Sequence, residues 1–352
     1  MKNKKHLTSS SKAISLLGII TLLNVILLFA NLFWGSVNIP AIKILDLLFS
    51  GNAENPSIEE IIIMQSRLPQ ALTALLTGAS LSVAGLLMQT LFRNPLAGPG
   101  ILGISSGASI GVAIISLVGG SVGIHLFSSI FQELSMLVAA FVGAFIFLGI
   151  ILVFANYIKN NISLLIIGLL LGYTASSLIG FLQFISHEQQ LHSFVIWGLG
   201  SFSNVSLDQL KIYSILIILS VGVSFLFVKP LNLLLLGENY AANLGIPIKR
   251  LRFLIILVTG ILTATATAYA GPIAFIGLAV PHLARLIFKT TDHKILLPGI
   301  VLTGMGIALA CNLISRLPAL EQALPINTVT SLFGAPLVIW FLIKNNRIYY
   351  HS

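Results

Sequence analysis

Apolar runs without a single charge dominate this chain, and their lengths predict helices that cross a membrane. The run from Leu68 to Phe92 is 25 residues long and closes at Arg93, and a crossing needs about 20. Read this way, the sequence places ten spans, at about Ala13–Phe33, Leu68–Leu91, Ile101–Val118, Ser135–Tyr157, Leu164–Phe184, Ile212–Val228, Phe253–Tyr269, Ala274–Phe288, Ile295–Ser315 and Pro325–Ile343. The uncharged stretch Phe253–Ala284 has 32 residues, too many for one crossing, and Gly271-Pro272 divides it. After a polar interruption at Gln183–His192, Phe194–Leu199 is too short to cross. Between the spans, Ile42–Phe49 reads as a short amphipathic helix, Asn52–Pro56 as a loop and Gly119-Gly120 as the end of the third span. The predicted fold class is an all-α polytopic membrane protein forming one transmembrane domain over residues 1–352.

One stretch organises the rest. Asn94-Pro95-Leu96-Ala97-Gly98-Pro99-Gly100 follows the second span and cannot be helix interior, because its prolines and glycines force a turn. A small-residue run, Gly103-Ile104-Ser105-Ser106-Gly107, then opens the third span. Irregular backbone at membrane depth survives only where protein or a water-filled cavity covers it. The broken turn is therefore expected to line a path.

Composition agrees with the pattern. The chain is 57% hydrophobic and 8% charged, where soluble proteins carry roughly a quarter charged residues. The net charge of +9 raises the question of nucleic acid, and the positions of the charges answer it. With the N-terminus inside, fifteen of nineteen basic residues fall on inner segments, and only Lys43, Arg67, Lys211 and Arg316 lie outside. Eight of the ten acids are outside, leaving Glu238 and Asp292 within. This is the asymmetry that orients membrane proteins, so both termini are expected in the cytoplasm and no nucleic-acid partner is implied. The basic start, with Lys2, Lys4, Lys5 and Lys12, reads as the flank of a retained first span.

Chemistry is sparse. The single cysteine, Cys311, can form no intramolecular disulfide. Gly98–Gly103 matches GxGxxG but follows a membrane span, not a strand, and no GxxxxGK[ST] phosphate loop occurs. There is no HExxH, no paired intramembrane carboxylate and no Ser/His/Asp set, so no catalytic site, metal site or cofactor of the chain's own is expected. His282, after Pro281, is expected to be a packed neutral side chain, and His187 and His192 to lie in an exposed polar loop. Arg67 and Arg316 are either interfacial anchors or surface cations that dock carboxylates of an external partner. Leu231–Gly245, inside, is either a lipid-surface helix or a short helix seated in a cytosolic partner, within a segment of about 230–250. Ala97-Gly98-Pro99 and Ala270-Gly271-Pro272 echo one another on opposite sides, predicting that spans 2–5 and 7–10 are inverted copies. An ion-coupled carrier would need an intramembrane acid, and all ten acids map to loops or span ends.

The ordered set of motifs resembles one family. Arg67-Leu68-Pro69, Arg93-Asn94-Pro95-Leu96-Ala97-Gly98-Pro99-Gly100, Gly237-Glu238 with Leu244-Gly245, Ala270–Leu278, Val280-Pro281-His282, Leu324-Pro325-Ile326 and Gly334-Ala335-Pro336 are similar to permease subunits of the iron-siderophore, haem and vitamin B12 ABC importer family. The resemblance implies a bacterial plasma-membrane protein that imports such a chelate by alternating access. It implies a second permease chain, two cytosolic ATPases that carry ATP and magnesium, and an extracytoplasmic solute-binding protein. It assigns Gly237, Glu238, Ala241, Leu244 and Gly245 to ATPase coupling, Asn94, Leu96, Asn161 and Ser163 to a cytoplasmic gate, and Arg67 and Arg316 to docking of the binding protein. The family usually reads RLPR where this chain has Gln70, which implies either fewer docking charge pairs or a partner with a different acidic pattern.

Overall fold

The structure, a computed structural model, describes residues 2–35, 37, 39–44, 57–118, 129–158, 160–317 and 323–349. Every element among them is helical. In order they are α1 (Lys2–Phe33), α2 (Ile58–Leu91), α3 (Ile104–Ala113), α4 (Ser129–Tyr157), α5 (Asn161–Ile185), α6 (Glu188–Gly198), α7 (Leu207–Leu226), α8 (Val228–Leu235), α9 (Glu238–Asn243), α10 (Ile248–Ala270), α11 (Ile276–Phe288), α12 (His293–Ser315) and α13 (Ile326–Tyr349). Seven are long and apolar enough to cross a membrane: α1, α2, α4, α5, α7, α10 and α12. Three shorter apolar helices, Ile104–Leu117, Ile276–Phe288 and Ile326–Phe341, stand where the third, eighth and tenth spans are expected.

The second span begins earlier than the charge pattern suggests, at Ile58 instead of Leu68. Ser57 caps it by accepting from the Glu60 N–H at 3.3 Å, and a π-helical turn over Ile62–Arg67 carries it through the arginine. Residues 41–44 are helical; the remainder of Ile42–Phe49, the loop Asn52–Pro56 and Gly119-Gly120 lie outside the described residues. His187 and His192 are exposed, as expected, but on a helix: His187 precedes α6 and His192 sits within it.

α2 is the axis of the bundle, buried along nearly all its length, with α7, α10, α11 and α12 packed around it. Glycines set that close approach. A methyl group at Gly85 would strike the backbone of Gly277, and one at Gly78 the carbonyl of Gly304. Hydroxyls then satisfy the contacts: Ser80 donates to Leu262 O at 2.8 Å and Thr77 pairs with Tyr213 Oη at 2.7 Å. Because the obstacle at Gly85 is backbone and not a movable side chain, Gly85→Val is expected to cost at least about 3 kcal/mol. A thermal midpoint unchanged from the parent would contradict this packing.

Hydrogen bonds sort the helix ends into two groups. The C-terminal ends of α2 and α11 lie with the N-terminal ends of α5, α10 and α12, at the end that carries the 93–98 turn. The C-terminal ends of α1, α6, α10 and α12 lie with the N-terminal ends of α2 and α13, at the end of the 271–275 bend.

Candidate functional site

The 93–98 turn is held from three sides. Asn94 folds its own backbone, its Oδ1 accepting from the Leu96 N–H at 2.9 Å. Leu96 itself is 43% exposed, so the turn presents an apolar side chain. His282, on α11, reaches Pro95 O at 2.9 Å. A proline carbonyl only accepts, so Nε2 carries the proton. The imidazole is buried and lies 4.2 Å from the Phe341 ring, the packed histidine expected from sequence. Gln89 completes the frame, donating to Leu278 O at 3.2 Å and accepting from Arg285 Nη1 at 2.7 Å.

The segment expected to face a cytosolic partner is two short helices. Gly237, at φ 117°, separates α8 from α9, and Gly245, at φ 85°, ends the second. Both values are open to glycine and disfavoured for other residues. Ala241 is buried, while Leu236, Tyr240 and Leu244 are exposed, so the segment anchors by one face and offers another.

Two polar clusters tie this segment to the spans. In the first, Glu238 Oε1 accepts from Asn161 Nδ2 at 2.7 Å and the carboxylate pairs with Arg252 at 3.4 Å. The same Asn161 amide donates to Leu91 O at 3.3 Å, at the last residue of α2. Arg252 also donates to Ile158 O at 3.1 Å. Asn161 thus touches both the α8–α9 segment and the helix that ends at the 93–98 turn. Ser163 lies half-buried nearby on α5 and makes no hydrogen bond in this cluster among the described residues.

In the second cluster, Asn232 on α8 accepts from the backbone N–H and Nδ1 of His293 at 2.9 and 2.7 Å and donates to Asp292 Oδ1 at 2.7 Å. His293 Nε2 then meets Thr90 Oγ1 at 3.0 Å. The Lys294 backbone N–H, with Asn232 and the nearby positive charges, holds the Asp292 carboxyl below its ordinary range. Asn232, His293 and Thr90 were not legible as site residues. The one signal was Asp292-His293-Lys294 at a span start.

At the other end the expected pair of surface cations needs correction. Arg67 is 2% exposed. Its guanidinium donates to Leu32 O at 2.7 Å, to Phe33 O at 3.2 Å and to Val37 O. These carbonyls at and beyond the end of α1 have no helical partners of their own, and a cation suits the negative end of the helix dipole. Gly35 is glycine because a methyl there would meet the guanidinium. Arg316 is half-buried; one nitrogen reaches Trp34 O at 3.5 Å and Nη1 has no partner among the described residues. Gln70 does not face solvent either. It is buried and donates to Asn312 Oδ1 at 3.1 Å, and Asn312 donates to Asn31 Oδ1 at 2.8 Å. That ladder fastens α1 to α2 and α12.

No group of three or more His, Cys, Asp or Glu able to hold a metal occurs among the described residues.

Comparison with known proteins places this geometry. The FecCD transport family model matches residues 22–344. The chain is 37% identical over 288 residues to the vitamin B12 import system permease protein BtuC of Salmonella arizonae, covering 82% of this chain and 84% of that protein. The same protein of Salmonella typhi matches at 37% identity, covering 82% and 85%. Among solved structures, a metal-chelate type ABC transporter in an inward-facing conformation superposes with a TM-score of 0.79 at 31% identity, over 94% of this chain and 99% of that one. PsaBC from Streptococcus pneumoniae, solved with a Fab, shares the fold with a TM-score of 0.52 at 14% identity, over 78% and 89%.

Proposed function

This chain belongs to the FecCD transport family, a multi-pass inner-membrane permease of an ABC importer, and on that footing we propose what it carries and how it moves. The cargo is a metal-chelate or cobalamin-type compound: an iron-siderophore, haem or cobalamin. Ten helices span the membrane, with both termini and the 93–98 end in the cytoplasm, and spans 2–5 and 7–10 form an inverted pair. Two permease chains stand on two cytosolic ATPases, and a solute-binding protein delivers cargo at the 271–275 end. ATP and magnesium stay on the ATPases, and the cargo crosses unchanged by alternating access.

One observation carries this reading. The Asn161 amide joins Glu238 of the coupling segment to Leu91, the last helical residue before the gate turn of Asn94 and Leu96. A stroke applied to α8 and α9, where Gly237 and Gly245 set the bends, Ala241 anchors the buried face and Leu244 faces the partner, is therefore passed to the turn. The alternative of a lipid-surface helix gives no reason for Glu238 and Asn232 to be bonded inward.

Docking of the binding protein rests on Arg316, with Arg67 behind it. Burial and the neighbouring Arg67 charge pull Arg316 below its ordinary value, and a carboxylate brought to the guanidinium of Arg316 would offset the Arg67 repulsion. Arg67 acts through the shape of the α1 end that it holds.

The test uses proteoliposomes holding the permease, its ATPases and its binding protein, and follows uptake of haem, a ferric siderophore and cobalamin. One of the three is expected to accumulate with ATP. Arg316→Glu is expected to weaken binding-protein affinity roughly tenfold or more, by trading an attraction for a repulsion, with the thermal midpoint preserved. Uptake that persists without the ATPase, driven by an ion gradient, would contradict the importer reading. Unchanged affinity in the variant would remove Arg316 from docking.

A further inference from the structure

Asn327, the second residue of α13, makes contacts at the 271–275 end that mirror those of Asn161, the first residue of α5, at the 93–98 end. Its Oδ1 accepts from the Ala274 N–H at 2.9 Å. Its amide donates to Pro272 O at 2.6 Å and to Gly198 O, the last residue of α6, at 3.2 Å. Beside it, the Asn327 N–H donates to Leu199 O at 3.2 Å and the Ser201 N–H to Ala270 O at 2.9 Å. One side chain therefore joins a peripheral short helix, a bend that breaks two spans, and the start of the helix that closes its half. Asn161 does the same with α9, the end of α2 and the start of α5.

The bend that Asn327 holds is strained. Phe275 sits at φ 66° without being glycine, a conformation that persists only when its surroundings over-determine it. Gly271, at φ 76°, approaches α6 so closely that a methyl there would lie 2.7 Å from Trp197 O. Ala274 is exposed in the single chain. The Asn327 side chain supplies three of the bonds that hold this strained bend, beside the backbone bonds to Leu199 O and Ala270 O.

We propose that Asn327 is the latch of the 271–275 end. While its three bonds stand, α6 and the bend are fixed on α13 and that end of the path is shut. Their release frees α6 and opens it, as release of Asn161 frees the opposite turn. This rests on the alternating-access reading above. Asn327 is a positioning residue: nothing requires it to touch cargo.

The test compares the parent, Asn327→Ala and Asn327→Asp in the full complex with ATPases and binding protein. Amide hydrogen exchange of segments 197–204 and 270–276 is read beside uptake per ATP hydrolysed. Asn327→Ala is expected to exchange both segments roughly tenfold faster at rest, to raise ATPase activity without binding protein, and to lower uptake per ATP by about tenfold. Asn327→Asp keeps the acceptor for Ala274 and loses both donors, so it should move the same way by less, and it preserves the test if the alanine variant fails to assemble. Parent-like exchange in the assembled variants overturns the latch. So does faster exchange with uptake per ATP unchanged, which is what a merely structural role gives. If the parent itself shows no ATP-driven uptake, the functional reading fails instead, and the exchange result still decides whether Asn327 locks the two segments.

Discussion

Arg67→Ala is expected to destabilise the folded permease by about 3–5 kcal/mol, because it strands several carbonyls at once that now accept from a charged donor. The substitution removes the donors to Leu32, Phe33 and Val37 carbonyls together, and a buried acceptor left unpaired costs about 1–3 kcal/mol. The Val37 and Phe33 groups retain some access to solvent, which keeps the total below the simple sum. Arg67→Lys should lose less, because an ammonium keeps the charge and three donors but not the planar fork. The thermal midpoint of the purified protein reads the effect. If the midpoint is untouched while binding-protein affinity falls, Arg67 is the surface docking cation that the sequence suggested, and the burial argument is wrong.

The second large effect falls on coupling. Glu238→Ala leaves Arg252, whose side chain is 7% exposed, without its carboxylate, and removes the acceptor that aligns Asn161. The carboxylate is 31% exposed, so the loss is put at about 2–3 kcal/mol, below that of a fully buried pair. Its consequence is specific: ATP hydrolysis by the complex continues, while uptake per ATP falls by tenfold or more, since about 1.4 kcal/mol is a factor of ten. In uptake per ATP an Asn161→Ala/Glu238→Ala double variant should fall short of the sum of the two single losses, because the two residues share one hydrogen bond. Fully additive losses, or parallel falls in hydrolysis and uptake, would mean that Glu238 does not transmit through Asn161.

Much of the fold could be read from charge alone. Bilayer crossing forbids charge over about 20 residues, so the uncharged runs fall on the helices, and the prolines and glycines of 94–100 mark a true break after Leu91. The stretch from Arg67 onward does lie at the centre of the bundle. What stayed hidden was the identity of partners. Arg67 looked like an outside cation because sequence does not show that the end of α1 folds back over it. Gln70 looked like a lost docking charge because nothing local places Asn312 and Asn31 beside it. A signal existed, in asparagines at 24, 31 and 312 within otherwise apolar runs, since an amide in hydrocarbon demands a partner. Asn24 and Asn31 do reach across to α12, at Leu302 O and Leu309 O. Asn327 carried no such mark, because it lies at a helix start where polar residues are ordinary.

The most direct test of the account is uptake into proteoliposomes with the ATPases either intact or unable to hydrolyse ATP, with and without an ionophore that collapses ion gradients. The account predicts accumulation of one chelate that requires hydrolysis and ignores the ionophore. Accumulation that survives inactive ATPases and vanishes with the ionophore would contradict it.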